Sequence, residues 1–132
     1  MENNELTIIQ NPGDLDQIKA LVIDGLNSAH SKTAYGHAID EFLEWYQAQG
    51  SRGLTKATVN AYKAHLQEGS GYAPSTINLR LSAIRRLAAE AVDNGLIAET
   101  QGNGVAKVKG VKSSGVRSGN WLTLEQAQRL IN

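Results

Sequence analysis

The residues from Ser75 to Asn94, STINLRLSAIRRLAAEAVDN, restrict what this chain can fold into more than any other stretch. Ile77, Leu81, Ile84, Ala88 and Ala91 recur at steps of three and four, with Leu87 widening the face, and only a helix aligns side chains at that spacing. Ala73-Pro74-Ser75-Thr76 punctuates the start, where proline sacrifices no hydrogen bond and hydroxyls satisfy free N–H groups. Asn94-Gly95 marks the end, since glycine readily takes the left-handed cap conformation. At about 100° per residue, Ser75, Asn78, Ser82 and Arg85 gather on the opposite side, with Arg86 at the margin. This second stripe is basic and hydrogen-bonding, and no acid interrupts it before Glu90. The plain reading of such a stripe is a solvated surface, so the rest of the chain must decide.

At 132 residues the chain has length for one domain with its own core, plus tails. It has no cysteine, which removes disulfides and thiolate metal sites and points to a reducing compartment. No apolar run approaches the roughly 20 residues of a bilayer span, and MENNELTIIQ lacks the features of a signal peptide, so no membrane partner is expected. His30, His37 and His65 fall in no metal-binding spacing, and no P-loop or Ser/His/Asp set is present, so no cofactor is expected. Formal net charge is zero, which by itself argues against a nucleic-acid partner. Its distribution argues differently. Up to Gly50, eight acids face only Lys19 and Lys32, a balance of −6; the remaining eleven basic and five acidic residues give +6. One side suited to a polyanion and another suited to solvent or a partner would produce that asymmetry.

Taken in order, residues 1–12 read as a flexible leader. Asn11-Pro12-Gly13 marks a turn, and Asp14 is expected to cap a first helix with Leu15, Ile18, Leu21, Val22 and Leu26 on its apolar face. Ser31 is expected to begin a second helix, with Tyr35, Ala38, Ile39, Phe42 and Tyr46 inward and Leu43 and Trp45 beside them. A third follows Leu54-Thr55, with Val59, Tyr62 and Leu66 inward, and the Ser75–Asn94 helix comes next. Leu96 and Ile97 should fold back onto the core. From 101 to 120 glycine and serine rise and periodicity fades, while Lys107, Lys109, Lys112 and Arg117 appear; a basic linker is expected, with a short helix near 104–109 as the alternative. At 121–132, Thr123 with Gln126 makes a capping box, and Leu124, Ala127, Leu130 and Ile131 begin an amphipathic helix, which reads as the first element of a further, truncated domain. The fold class is therefore all-α, an orthogonal bundle of four to five helices over 13–100.

The order of these signals resembles the N-terminal core-binding, SAM-like domain of the tyrosine recombinases, the phage integrase family. The matching pieces are Ser31-Lys32-Thr33-Ala34-Tyr35, Phe42-Leu43-Glu44-Trp45, Thr55 through Tyr62 to Leu66, Ser75-Thr76-Ile77-Asn78, Leu81 through Arg85, Gly95-Leu96-Ile97, and Trp121-Leu122-Thr123 with Glu125-Gln126. The resemblance implies double-stranded DNA as partner, together with other recombinase subunits in a synaptic complex. It also implies a bacterial or phage-encoded, cytoplasmic protein that works at the nucleoid. The helices beginning at Ser31 and Ser75 would cross near each other and present their N-terminal halves to the duplex. Lys32, Thr33 and His37 would serve DNA from one, and Ser75, Thr76, Asn78, Ser82, Arg85 and Arg86 from the other, with Lys107, Lys109, Lys112 and Arg117 following along the linker. Helix starts and hydroxyls suit phosphate oxygens, and Asn and Arg can read base edges. Where many relatives carry a basic residue this chain has Leu79, and its arginine stands next door at Arg80, beside the core stripe.

In that family an arginine, lysine and histidine constellation with a nucleophilic tyrosine resides in another domain, so the part read here is expected to hold DNA without cutting it. Tyr35, Tyr46, Tyr62 and Tyr72 read as core or boundary residues. An alternative of a different class is a helical protein-interaction module using the acidic first half, with Asp40, Glu41 and Glu44 as its patch. A small enzyme in its own right has no supporting constellation.

Overall fold

A computed structural model describes residues 12–50 and 53–112. Among them are five helices and no strand: α1 (Pro12–Asp24), α2 (Ala29–Ala48), α3 (Lys56–Gly69), α4 (Pro74–Asp93) and α5 (Glu99–Ala106). The leader up to residue 11, Arg117 and the helix expected within 121–132 lie outside the described residues.

The helix α4 packs against each of the other four. Ile77, Leu81, Ile84, Leu87, Ala88 and Ala91 are all buried, as their spacing predicts, and Ala83 joins them. Ala83 lies outside the expected stripe and is buried because neighbours close over a wider arc of α4 than one apolar face requires. From the other side α2 contributes Ala38, Ile39, Phe42, Leu43 and Tyr46, and α3 contributes Val59, Tyr62 and Leu66. Phe42 meets the edge of Tyr62 at 5.0 Å between centroids and stacks on Tyr46 at 5.6 Å, geometries aromatic quadrupoles favour. Each such side chain taken from water contributes on the order of 2 kcal/mol. Leu15, Ile18 and Val22 bury α1 on α2 and α4, whereas Leu21, expected on the same face, is 44 % exposed.

Helix ends depart from expectation in instructive ways. Pro12 opens α1, two residues before the expected Asp14. Ser28, not Ser31, caps α2: its Oγ accepts the Ser31 N–H at 3.0 Å from an extended backbone, so Ser31 is the receiver of the cap. Thr55 caps α3 as expected, accepting the Thr58 N–H at 3.3 Å. The start of α4 has no side-chain cap; the Thr76 and Ile77 amides return to the Ala73 carbonyl at 3.0 and 3.1 Å. Its end obeys the glycine signal. Gly95 at φ +76° lets its own N–H reach Val92 and that of Leu96 reach Ala91, at 3.0 and 2.8 Å.

The largest departure follows Ala98. Residues 99–106 form a helix, and Val105 and Val108 are buried in the common core, so the segment expected to open a linker at 101 belongs to the bundle. Glycine costs about 1 kcal/mol in a helix interior, which is why Gln101-Gly102-Asn103-Gly104 reads as loop. Packing overrides that propensity: a Cβ on Gly102 would collide with Cγ2 of Val92, so only glycine lets α5 come this close to α4. Buried Gln101 locks the corner. Its Nε2 donates to the Leu54 carbonyl at 3.2 Å, and its Oε1 accepts the Ala98 N–H at 3.3 Å.

Candidate nucleic-acid interface

The polar side chains of α4 divide into two groups with different neighbours. Arg80 falls on the buried arc, near Ile77 and Ile84, and faces α2. Its Nη1 lies 2.5 Å from Oε1 of Glu41, and its guanidinium stands over the Tyr72 ring, 4.6 Å from the centroid. The Tyr72 hydroxyl donates to Oε2 of Glu41 at 2.8 Å. One carboxylate thus holds a cation and a phenol together. Arg80 is spent inside the fold.

Across the helix, Asn78 and Arg85 are turned onto the chain that follows α5. Asn78 Nδ2 donates to the Val111 carbonyl at 2.9 Å, and Oδ1 accepts the Val111 N–H at 2.7 Å. Arg85 Nη2 donates to the Val108 carbonyl. Val108 is buried and Val111 half-buried, while Lys107, Lys109 and Lys112 are exposed. The segment 107–112 is therefore a strap laid along α4, fastened at both ends by the stripe expected to face DNA. The signal for it was present in the sequence: Val105, Val108 and Val111 recur at steps of three with lysines between them. The intervening glycines obscured it.

Along the remaining open strip of α4, Ser75, Leu79 and Arg86 are exposed and Thr76 and Ser82 half-buried. Arg86 lies 5.8 Å from the Tyr35 ring centroid. Since Arg80 meets Glu41 and Arg86 meets Tyr35, the two helices run antiparallel where they touch. The start of α2 therefore lies beside the later half of α4. Roughly 16 Å of helix separates Ser75 from Arg86. Lys32, half-buried, and Thr33, exposed, stand in the first turns of α2. His37 lies further along the same helix. It lines an open cleft of about 390 Å³ with Asp40, Glu41, Glu44 and Arg80, where three carboxylates disfavour a phosphate.

Charges on the two sides are disposed differently. Lys19 pairs with Asp40 at 2.6 Å, and Arg80 with Glu41. Among the described residues no carboxylate pairs with Arg85, Arg86, Lys107, Lys109 or Lys112. The acidic first half is thus partly neutralised from within, whereas Arg86 and the strap lysines keep charges with no ion-pair partner among the described residues. Tyr46, Tyr62 and Tyr72 are not set up as nucleophiles. Burial pushes the Tyr46 hydroxyl above its ordinary pKa, burial and then the Glu41 charge raise Tyr62 well above it, and the hydrogen bond to Glu41 raises Tyr72. Activation requires the opposite shift.

No described helix is long and apolar enough to cross a membrane. Comparison with curated proteins and with solved structures gives no match. A family model does match, the phage integrase N-terminal SAM-like domain, over residues 18–95, from within α1 to the glycine that ends α4. That match spans more than half of the chain, and its helices are those that build the bundle around α4; the chain belongs to the phage integrase N-terminal SAM-like domain family.

Proposed function

We propose that this domain binds double-stranded DNA as the core-binding part of a site-specific tyrosine recombinase, and that strand cleavage belongs to a separate catalytic domain of the parent protein. The observation that carries the reading is that Arg86, Lys107, Lys109 and Lys112 are all exposed and, among the described residues, pair with no carboxylate. Lysines and arginines released from internal pairing are what neutralise phosphates and release counterions. Ser75 and Thr76, at the uncapped start of α4, and Ser82 add hydroxyls suited to phosphate oxygens. Lys32 and Thr33, in the first turns of α2, add a cation and a hydroxyl.

Titrating a labelled mixed-sequence duplex with the chain at rising salt tests this. Affinity should fall log-linearly with salt, and each lysine removed should lower the slope by about one. Absence of binding at low salt, or affinity indifferent to salt, would end the DNA reading.

A second reading draws on the opposite surface. The cleft bearing His37, Asp40, Glu41 and Glu44 adjoins another of about 430 Å³, floored by Trp45, Tyr62 and Tyr72. Carboxylates over aromatic rings suit a cationic protein segment, such as one from a neighbouring recombinase subunit. Chemical shifts moving at Asp40 and Glu44 on self-association, and not on addition of DNA, would support it. The two surfaces are separate, so both readings hold together.

A further inference from the structure

The strap lies beyond residue 95, where the family match ends, and its attachment is specific. A primary amide pairs with a peptide group through both of its ends, as Asn78 does with Val111, only when donor and acceptor are both present at that reach. Aspartate lacks the donor, and serine lacks the length. Gly110 is part of the same fit, because a Cβ there would stand 2.7 Å from Oδ1 of Asn78. The amide edge that meets Val111 is also the edge an asparagine would use to read adenine, so Asn78 cannot do both at once.

We infer that Asn78 and Arg85 are positioning residues, which act on DNA through the strap: they fix Val111 and Val108 so that Lys107, Lys109 and Lys112 form a set basic ridge along α4. This rests on the DNA reading above. A loose lysine segment would have to be ordered when DNA binds, whereas here the ordering accompanies folding, and the gain appears as affinity.

The experiment is a double-mutant cycle on the full chain, read with the same labelled duplex across a salt series. Lys109→Ala with Lys112→Ala should weaken binding about tenfold and lower the salt slope by roughly two. Asn78→Ala should reproduce most of that loss and flatten the slope, although it removes no charge; in its background the two lysine substitutions should cost less than about twofold more. Hydrogen exchange reports the clip directly, because the Val111 amide should lose protection in Asn78→Ala while amides of the α4 core keep theirs. Should Asn78→Ala disturb folding, Gly110→Ala lifts the strap with Asn78 intact and should give the same flattened slope. Additive losses would overturn the inference and assign Asn78 a contact of its own. A gain in affinity would overturn it too, since the strap would then be covering a DNA face. A Val111 amide still protected in Asn78→Ala would show that the clip does not hold the strap. If the unaltered chain binds no DNA even at low salt, the function proposed above fails and this role of the strap fails with it, whereas binding with additive effects removes the strap's role alone.

Discussion

Arg80 and Arg85 stand little more than one turn apart on α4, yet their charges meet different ends. Arg80 is enclosed by Glu41 and the Tyr72 ring and offers nothing outward. Arg85 binds only a peptide carbonyl of the strap, so it fastens the chain and keeps its full positive charge. Hydrogen bonding engages a guanidinium without neutralising it; a carboxylate does both. The difference teaches that a basic residue on a helical wheel becomes a candidate phosphate ligand only after its tertiary partners have been counted. Of the two, Arg80 is the less available.

Four substitutions or conditions can break or sharpen this contrast. The largest effect on stability is expected from Arg80→Ala. It strands a Glu41 carboxylate that is 42 % exposed, so the loss should be about 2 kcal/mol rather than the larger value of a fully buried pair. Denaturant unfolding measures it, and DNA affinity of the folded chain should stay unchanged. An equal loss of affinity would erase the contrast.

Arg85→Ala should cost about 1 kcal/mol in the same unfolding experiment, the worth of a charged hydrogen bond that is half open to water. Unlike Arg80→Ala, it should also flatten the salt slope of DNA binding, because the strap lysines lose their anchor at Val108. A slope identical to that of the unaltered chain would place Arg85 with Arg80.

Alkaline pH should act on the Arg80 side. The folded chain holds the Tyr46, Tyr62 and Tyr72 protons to higher pH than the unfolded chain, whose tyrosines titrate near 10. Stability from these groups is therefore complete below about pH 10 and is lost as pH rises through the folded values. Tyrosinate absorbance should rise together with loss of helix, and Tyr72→Phe should soften that dependence. Titration of these three tyrosines near 10 with the helices intact would contradict it.

The smallest effect belongs to Tyr62→Phe. The Tyr62 hydroxyl is buried with no hydrogen-bond partner among the described residues, so deleting it should leave stability within about 0.5 kcal/mol or raise it slightly. A loss above about 1 kcal/mol would mean that the hydroxyl has a partner within the Glu41 and Arg80 cluster.

Much of the bundle was legible before any coordinates. Three-and-four periodicity identified α1 to α4 and nearly all of their buried residues, because burial on a helix repeats with the backbone's own pitch. Caps were read less well, since Ser28 and Ser31 offer the same hydroxyl and only backbone geometry tells the cap from the residue it serves. The region after Ala98 reads as a linker because glycine counts against a helix locally. Only the neighbour at Val92 shows why glycine is required there.

The candidate interface was legible in its residue types and not in its arrangement. Sequence alone determined that α4 would be the helix around which the chain folds, that it would carry a polar, basic stripe opposite its core face, and that positive charge would concentrate in the later half. Tertiary structure alone decided which of those charges stay free. Pairing depends on what another part of the chain brings within hydrogen-bond reach, and Glu41, Val108 and Val111 lie some 20 to 40 residues from their partners on α4, a separation no local pattern records.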